Sequence, residues 1–221
     1  TATSVLAGYS KAPPETADEV LQHYLRYLKR AAQFGLVNDH TNKEGFVVSS
    51  DSDWAGLYST TGETRSRSGS CITLDGMPIS WGSQHQKCVG TSYKEGLDEA
   101  EVAQSSAEGE LYAAADTLKL ALHMSYVADE LNIPMPSPLI MLVDATAAIG
   151  KIQGPRGGGK LKHIDLRQDW IKLLKNRKIV EVVKVPGEAN PADCFTKILG
   201  RVAFNKSESE LMGRIDGGGR K

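Results

Sequence analysis

The 221-residue chain has an ordinary globular composition, with 40% hydrophobic and 24% charged residues, which predicts one large domain or one domain with a smaller attachment. No apolar run approaches the roughly 20 residues that a membrane-spanning helix needs, and no signal-peptide pattern opens the chain, so we expect no membrane partner. Cys71, Cys88 and Cys194 are odd in number and lack CxxC spacing. They predict neither a disulfide framework nor a zinc site.

The net charge of −1 conceals an asymmetry between the two parts of the chain. Residues 1–150 contain ten Lys and Arg against nineteen Asp and Glu, a net −9, whereas residues 151–221 contain sixteen against eight, a net +8. An acidic part can supply metal-binding carboxylates, and a basic part can hold a polyanion. The alternative is that the two parts pair with each other, and composition leaves both interpretations open.

The chain begins with a predicted helical segment. Apolar residues recur near helical spacing at 15–34. A polar connector at 38–44 then marks a predicted domain boundary. We therefore expect a helical connection segment at 1–44, the main domain at 45–200 and a polar, flexible tail at 201–221.

The main domain opens with strand signals. An alternating run at 46–51 predicts a strand. Residues 70–74 and 78–81 flank Asp75-Gly76, a dipeptide typical of tight hairpin turns. This part of the chain therefore predicts a strand followed by a β-hairpin.

Helices and strands alternate in the rest of the main domain. The longest helical pattern runs over about 104–132, and the apolar run at 139–143 is typical of a buried central strand. Further predicted elements are a short helix at 145–152, a helix at 163–175, a strand at 179–185 and a last helix opened by Asn190-Pro191. This order predicts a mixed sheet with helices packed on it, an α/β fold.

Carboxylates fall at four predicted element ends. Asp51 and Asp144 end strands, Asp193 starts a helix, and Glu108 and Glu110 lie in the first turns of the long helix. If the two strands are neighbours, these ends converge on one edge of the sheet, where α/β proteins bind ligands. Several unpaired carboxylates repel one another unless cations occupy the site, and Mg²⁺ prefers oxygen ligands.

Each acid taken alone also has a plainer explanation. Asp51 suits a solvated turn, Asp144 suits the N-cap of the next helix, and Asp193 suits a partner of a helix dipole. The joint placement of the acids is what favours a metal site.

Seven short motifs occur in a fixed order along the main domain. They are SDSDWAG at 50–56, RSRSG at 65–69, ISW at 79–81 followed by Gln86, SAEGELYAA at 106–114, VD at 143–144, KHID at 162–165 and NPADCFTK at 190–197. Together they resemble the ribonuclease H domain of copia-type LTR retrotransposon Pol polyproteins. The sequence LRYLK at 25–29 similarly resembles the segment that joins reverse transcriptase to that domain.

The resemblance implies a ribonuclease H-like fold, with a five-stranded mixed sheet flanked by helices and an N-terminal helical extension. It also implies Mg²⁺-dependent endonucleolytic hydrolysis of the RNA strand of RNA–DNA hybrids during reverse transcription. The implied partners are the hybrid and the reverse transcriptase portion of the same polyprotein. The implied location is cytoplasmic, inside virus-like particles.

By motif match, the catalytic residues are four carboxylates that would also bind two Mg²⁺ ions. They are Asp51, Glu110, Asp144 and Asp193. Asp53 is the alternative to Asp51. Glu108 is the alternative to Glu110, because a helical wheel slightly favours Glu108 for the core-facing side whereas the motif favours Glu110.

Basic residues of the C-terminal part are candidates for phosphate contacts with the nucleic acid, although a solvated helix face explains most of them equally well. They are Lys160, Lys162, Arg167, Lys172, Lys175, Arg177 and Lys178. Trp54 and Trp81 are interpreted as core residues rather than as platforms for base stacking.

Three features depart from the family pattern. An acidic insert near 89–103 could cover the site or repel a hybrid, the loop at 185–189 lacks the histidine of many cellular ribonucleases H, and no polymerase motif is present. The main alternative is therefore an inactive or domesticated element remnant that binds nucleic acid without catalysis. An integrase-type nuclease ranks last, because its Asp, Asp, Glu order differs from the Asp, Glu, Asp, Asp order here.

Overall fold

In the computed structural model, the described residues are Thr3, Leu6, Thr41 and six ranges; for residues 162–165 and 214 only the backbone is described. The ranges are 17–38, 44–54, 66–86, 105–135, 137–154 and 162–214. The acidic insert at 89–103, Cys88 and Lys160 lie outside the described residues, as does most of the loop after the first predicted strand.

Five helices and seven strands, with two short 3₁₀ turns, make up the described structure. In chain order they are α1 (Ala17–Ala31), β1 (Phe34–Gly35), β2 (Phe46–Asp53), β3 (Arg67–Leu74), β4 (Met77–His85), α2 (Ser106–Glu130), β5 (Leu139–Val143), α3 (Thr146–Gln153), α4 (Lys162–Asn176), β6 (Val180–Lys184), 3₁₀ turns at Gly187–Ala189 and Pro191–Phe195, α5 (Arg201–Leu211) and β7 (Gly213–Arg214).

The main sheet has five strands in the order β4-β3-β2-β5-β6. Strands β2, β3 and β4 are antiparallel neighbours, whereas β5 runs parallel to both β2 and β6. The predicted fold class is confirmed: this is a mixed five-stranded sheet flanked by helices. Because β2, β5 and β6 run the same way, their carboxyl ends lie at one edge of the sheet.

Local sequence explains the hairpin and the start of the long helix. Asp75 and Gly76 adopt φ values of 48° and 74°, which is the left-handed backbone that a tight two-residue hairpin turn requires. Helix α2 begins after Ser105, whose hydroxyl accepts a hydrogen bond from the Glu108 backbone N–H at 3.3 Å. This cap satisfies one of the backbone donors that a helix start leaves open.

The hydrophobic core lies between the sheet and helices α2, α3 and α4. Small residues on α2 let this helix approach β2 and β3 closely, while larger side chains of the strands and of α3 and α4 fill the remaining space. Core residues include Phe46, Val48, Ile72, Leu111, Ala114, Ala115, Leu118, Met141, Val143, Ile152 and Ile171. Among the described residues, no helix combines the length and the apolar character needed to cross a membrane.

The structure corrects two predicted elements next to the acids. Strand β2 continues to Asp53, so Asp51 lies inside the strand, opposite Gly69 of β3, and not at its end. Asn190-Pro191 opens a 3₁₀ turn, Pro191–Phe195, instead of an α-helix. This turn packs on β2 and β3, and that packing holds a segment whose own sequence signals a helix start.

Residues 201–214, which the sequence assigns to a polar, flexible tail, form α5 and β7. Strand β7 pairs with β1 in antiparallel orientation. The ring of Phe204 on α5 meets the Tyr27 ring of α1 edge to face at 5.5 Å. These partners are distant in sequence, which is why a local reading missed them. The domain limits at 44/45 and 200/201 stay a prediction.

The interpretation of the two tryptophans as core residues is also wrong. Trp54 is 51% exposed and Trp81 is 53% exposed. Trp54 directly follows the end of β2, and Trp81 lies on β4, an edge strand of the sheet. Side chains of a strand project from the faces of the sheet, and the face of β4 at Trp81 is open to solvent.

Candidate active site

Three of the predicted acids meet at the carboxyl edge of the parallel strands. Asp51 lies on the central strand β2, Asp144 directly follows the neighbouring strand β5, and Asp193 lies in the 3₁₀ turn that packs on β2. One carboxylate oxygen from each of the three residues lies within 4.8 Å of the other two. The group can therefore offer three oxygens to one metal ion.

Glu110 lies beside this group, near the start of α2. Its side chain is only 7% exposed, and its Oε1 accepts a hydrogen bond from the Ser52 backbone N–H at 3.3 Å. The other oxygen, Oε2, is buried and has no hydrogen-bond partner among the described residues. Burial, and then the charges of Asp51 and Asp144, raise the pKa of Glu110 to about 9.

The two alternative acids occupy different surroundings. Glu108 forms an ion pair with Lys151 of α3, with an Oε1 to Nζ distance of 3.6 Å. Asp53 lies two residues beyond Asp51 and opposite Arg67, outside the group of three oxygens. This geometry favours Asp51 and Glu110, although their role as ligands stays a prediction.

Buried polar residues hold the 3₁₀ turn against the central strand. The Asn190 amide donates to the Ser50 carbonyl at 2.9 Å, and its oxygen accepts from the Ala192 backbone N–H at 3.1 Å. The fully buried Thr196 hydroxyl donates to Asp51 Oδ2. These bonds place Asp193 next to Asp51 although 142 positions separate the two residues in the sequence.

The close approach of the turn depends on a glycine. A Cβ at Gly69 would lie 2.7 Å from Thr196 Cγ2 and 2.8 Å from the Ala192 carbonyl oxygen. Real Cβ atoms do not approach other atoms so closely, so only glycine fits without a shift of the turn. Gly69 is the register partner of Asp51, and its missing side chain leaves room for the residues that hold this acid.

Negative charge that Lys197 compensates only in part dominates the electrostatics of the site. Burial and then the charge of Asp51 raise the pKa of Asp144, whose Oδ1 is buried without a partner among the described residues. Burial raises the pKa of Asp193 to about 6, with the hydrogen bond from Lys197 opposing and the charge of Asp51 adding to the rise. A bound cation would relieve this repulsion.

The plainer explanation of Asp144 as an N-cap does not hold. Helix α3 has Ala145 at its N-cap position, and no side chain caps this helix end by a hydrogen bond. The polar side chain of Asn190 instead moderates the raised pKa of Asp144. Asp144 therefore groups with Asp51 and Asp193 and does not cap the helix start.

Lys197 is a residue of the site that the sequence reasoning missed. Its Nζ lies 2.8 Å from Asp193 Oδ1 and 3.2 Å from Asp51 Oδ1. Burial lowers the pKa of Lys197, but the hydrogen bond to Asp193 and the charge of Asp51 outweigh it, and the pKa lies above its usual value. The i,i+4 spacing to Asp193 is the one sequence signal that indicated part of this contact.

Five of the seven predicted phosphate contacts have side chains that the structure describes. Arg167 stacks on the Tyr112 ring at 4.1 Å, and the Lys172 ammonium donates to the Gly154 carbonyl. The remaining three lie where α4 ends and the chain enters β6; because β6 is parallel to β5, this is the opposite edge of the sheet from Asp144. They are Lys175, Arg177 and Lys178.

Of the seven predicted contacts, Lys160 and the side chain of Lys162 lie outside the described part of the chain. Two other lysines do lie at the acidic edge of the sheet. Lys184 ends β6 and donates to the Thr146 hydroxyl at 2.6 Å, and Lys151 pairs with Glu108. Sequence reasoning missed both because neither forms part of a basic cluster.

Comparison with known proteins places the chain among transposon sequences. It is 29% identical over 210 residues to the retrovirus-related Pol polyprotein from transposon RE2 of Arabidopsis thaliana, a match that covers 95% of this chain and 13% of that protein. It is 28% identical over 214 residues to the corresponding polyprotein from transposon TNT 1-94 of Nicotiana tabacum, covering 96% of this chain and 14% of that protein. No family model matches the chain.

A solved structure similar to the chain is the N-terminal RNase H domain of a Mycobacterium tuberculosis protein, determined as a fusion with maltose-binding protein. The two share 12% sequence identity with a TM-score of 0.44, and the match covers 73% of this chain and 94% of that chain. The present chain spans only 13–14% of the length of the two transposon polyproteins. Along almost all of its own length it is a homologue of retrotransposon Pol polyproteins, which confirms the resemblance that its motifs predict.

Proposed function

We propose that the chain is a ribonuclease H domain of a retrotransposon Pol polyprotein that hydrolyses the RNA strand of RNA–DNA hybrids with the aid of Mg²⁺. The observation that carries the proposal is the convergence of Asp51, Asp144 and Asp193 within 4.8 Å, with the buried Glu110 beside them. The relationship to Pol polyproteins supports it. Partners would be the hybrid and the reverse transcriptase portion of the polyprotein, inside cytoplasmic virus-like particles.

The residues fit a divalent cation such as Mg²⁺. All candidate ligands are carboxylate oxygens, which Mg²⁺ prefers, and this ion needs few protein ligands because it keeps several waters. Glu110 Oε2 and Asp144 Oδ1 are buried polar atoms without a partner among the described residues. An unpaired buried carboxylate oxygen is costly, and a bound cation would remove that cost.

Two bound Mg²⁺ ions would supply Lewis acidity for the attack of water on the phosphodiester and for the departure of the 3′-oxygen. The chain itself supplies rigid placement of the ligands. Asp51 is held by the Thr196 hydroxyl inside a strand with neighbours on both sides. Glu110 is fixed by the Ser52 backbone N–H. Such preorganisation lets the site act without rearranging during the reaction.

Recognition of the hybrid would rely on the shape and charge of its backbone and on RNA 2′-hydroxyls, with little reading of bases. Lys184 and Lys151 lie at the acidic edge and are better placed for phosphate contacts than Lys175, Arg177 and Lys178. We therefore assign the phosphate contacts near the scissile bond to the acidic edge rather than to the end of α4.

The test is cleavage of a hybrid labelled on either strand, with and without Mg²⁺, by the wild type and by Asp144→Asn. We expect Mg²⁺-dependent cutting of the RNA strand alone and a loss of at least about 100-fold in the variant. Asp116→Asn is the matched control, because Asp116 is an exposed acid of α2 that pairs with the surface residue Lys119. This control should retain full activity.

A folded wild-type chain that cuts neither strand would contradict the proposal. Hybrid binding without cutting would instead support the alternative of an inactive remnant that binds nucleic acid. Equal loss of activity in Asp144→Asn and Asp116→Asn would show that the acidic edge is not the site of the chemistry.

A further inference from the structure

Lys197 lies against two acids of the acidic site. Its ammonium group bridges two carboxylates, at 2.8 Å from Asp193 and 3.2 Å from Asp51. Asp51 is almost completely buried, whereas the Lys197 side chain is 39% exposed. The ammonium group therefore occupies a position between two carboxylates that a shared metal ion could also occupy.

The two carboxylate oxygens that Lys197 contacts cannot serve both cations at once. Mg²⁺ requires its oxygen ligands at about 2.1 Å, so an ion held by Asp51 and Asp193 would take the space of the ammonium group. Two positive charges a few ångströms apart also repel each other strongly inside a protein. Binding of a metal ion through Asp51 Oδ1 and Asp193 Oδ1 and the observed position of Lys197 are therefore mutually exclusive.

The length and exposure of the Lys197 side chain allow its ammonium group to leave the site. Four methylene groups separate its ammonium from the backbone, and the side chain already reaches solvent. The backbone at this position need not move, because Thr196 is anchored independently by its bond to Asp51. Rotation of the side chain alone can move the charge from the acids into water.

We propose that Lys197 is a displaceable internal counter-ion, which holds Asp51 and Asp193 together in the metal-free protein and leaves when a divalent cation binds between them. This inference rests on the proposed function, because it takes Asp51 and Asp193 as metal ligands. It assigns Lys197 a positioning role: the residue lowers the affinity for metal and keeps the ligands in place before the metal arrives.

The first experiment compares Mg²⁺ binding by the wild type and by Lys197→Met, using calorimetry and the shift of the thermal midpoint, without nucleic acid. Met keeps an unbranched side chain of similar reach but has no charge. We expect the variant to bind Mg²⁺ about tenfold more tightly or better, and to melt at a lower temperature than the wild type in a chelator. Lys119→Met, which breaks an ordinary surface pair with Asp116, should leave the affinity unchanged.

The second experiment uses the wild-type chain, so it does not depend on the folding of a variant. Lysine acylation is followed by mass spectrometry with a chelator or with saturating Mg²⁺. We expect Mg²⁺ to increase the labelling of Lys197 and to leave the labelling of Lys119 unchanged. Unchanged labelling of Lys197 with Mg²⁺ bound, or unchanged or weaker Mg²⁺ binding by a folded Lys197→Met, overturns the inference.

Neither measurement involves hydrolysis, so the two proposals can fail separately. Mg²⁺-dependent release of Lys197 in a chain that does not cut hybrids would support the inference and contradict the nuclease proposal. Hybrid cleavage by a chain whose Lys197 labelling does not change with Mg²⁺ would support the nuclease proposal and contradict the inference. A wild type that binds no Mg²⁺ would overturn both.

Discussion

The acidic edge of the main sheet and the pair of terminal segments are built on different principles. The acidic edge, made of Asp51, Glu110, Asp144, Asp193 and Lys197, rests on the central strands and on buried polar contacts. The terminal pair, made of α1 and β1 with α5 and β7, is joined by a two-residue strand pairing and side-chain contacts. Among the described residues, neither α1 nor α5 has a fully buried side chain.

The acidic edge is therefore a site under electrostatic strain, whereas the terminal pair is an attachment with ordinary contacts. The acidic edge concentrates buried negative charge that a single lysine offsets in part, which is costly for the metal-free protein. The terminal pair has opposite charges together and an aromatic pair in a favourable geometry. Departures from ordinary packing rules are expected at functional sites. Substitutions should therefore affect the two regions differently.

The largest effect is expected for Glu110→Gln in the metal-free protein. The pKa of Glu110 rises from an ordinary 4.5 to about 9 in the folded chain, so folding favours the protonated acid. Its contribution to stability is complete below about pH 4.5 and is lost as the pH rises toward 9. At pH 8 the variant, which cannot ionise there, should be more stable than the wild type by roughly 3 kcal/mol.

Urea unfolding at pH 5 and pH 8 in a chelator measures this effect. The free energy of unfolding of Glu110→Gln should exceed that of the wild type by more at pH 8 than at pH 5. A difference that is the same at both pH values would contradict the prediction. Glu108→Gln is the matched control two residues away. It removes the ion pair with Lys151 and should destabilise the chain by up to about 1 kcal/mol, which is the opposite sign.

The next largest effect is expected for Gly69→Ala, which forces a Cβ against Thr196 and the Ala192 carbonyl. Overpacking of this kind costs about 2 kcal/mol, and it should also weaken Mg²⁺ binding because the turn that carries Asp193 must shift. Gly150→Ala is the control, since a Cβ there meets no atom within 4 Å. This helical substitution should stabilise the chain by about 0.8 kcal/mol. If Gly69→Ala is destabilised but binds Mg²⁺ as tightly as the wild type, the prediction that packing at Gly69 sets the geometry of the site is contradicted.

A smaller, local effect is expected for Phe204→Ala in the terminal pair. Loss of the ring contact with Tyr27 should cost about 1 kcal/mol. Hydrogen exchange should accelerate in α1 and α5 while hybrid cleavage stays at the wild-type rate. Val202→Ala on the same helix, where the side chain is 86% exposed, should change neither. Equal loss of protection in β2 would show that the two regions form one cooperative unit.

The smallest effect is expected for Glu208→Gln, which breaks the ion pair with Arg30 at 3.3 Å. Although the Glu208 side chain is only 9% exposed, the Arg30 side chain is half exposed, so the loss should be about 0.5 kcal/mol. It should shrink further in 1 M salt, where exposed charges are screened within about 3 Å. Thermal unfolding at low and high salt measures it, and a loss that persists unchanged in high salt would argue for a buried, unscreened pair.

Local patterns in the sequence predict most of the elements. The apolar run at 139–143 is strand β5 to the residue, and Asp75-Gly76 forms the hairpin turn because both residues tolerate the left-handed backbone that it needs. The long helix α2 follows from its periodic pattern and its Ser105 cap. Each of these signals lies within a few residues of the element that it specifies.

Elements held by distant contacts are where local patterns fail. The sequence signals of Asn190-Pro191 suit a helix start, yet the segment is a 3₁₀ turn that packs on β2 and β3. The polar sequence of α5 resembles a tail because its partners, α1 and β1, lie at the other end of the chain. Helical periodicity also does not separate Glu108 from Glu110, since the first turns of α2 are buried on all sides.

The amino-acid sequence by itself determined the fold class, the four candidate acids and the resemblance to Pol polyproteins, because residue types, spacing and periodicity are local properties. The tertiary structure alone decided that Asp51, Asp144 and Asp193 meet within 4.8 Å, that Lys197 bridges two of them, and that Lys175, Arg177 and Lys178 lie at the far edge. Distances between residues more than a hundred positions apart depend on strand order and strand direction, and no local pattern records either.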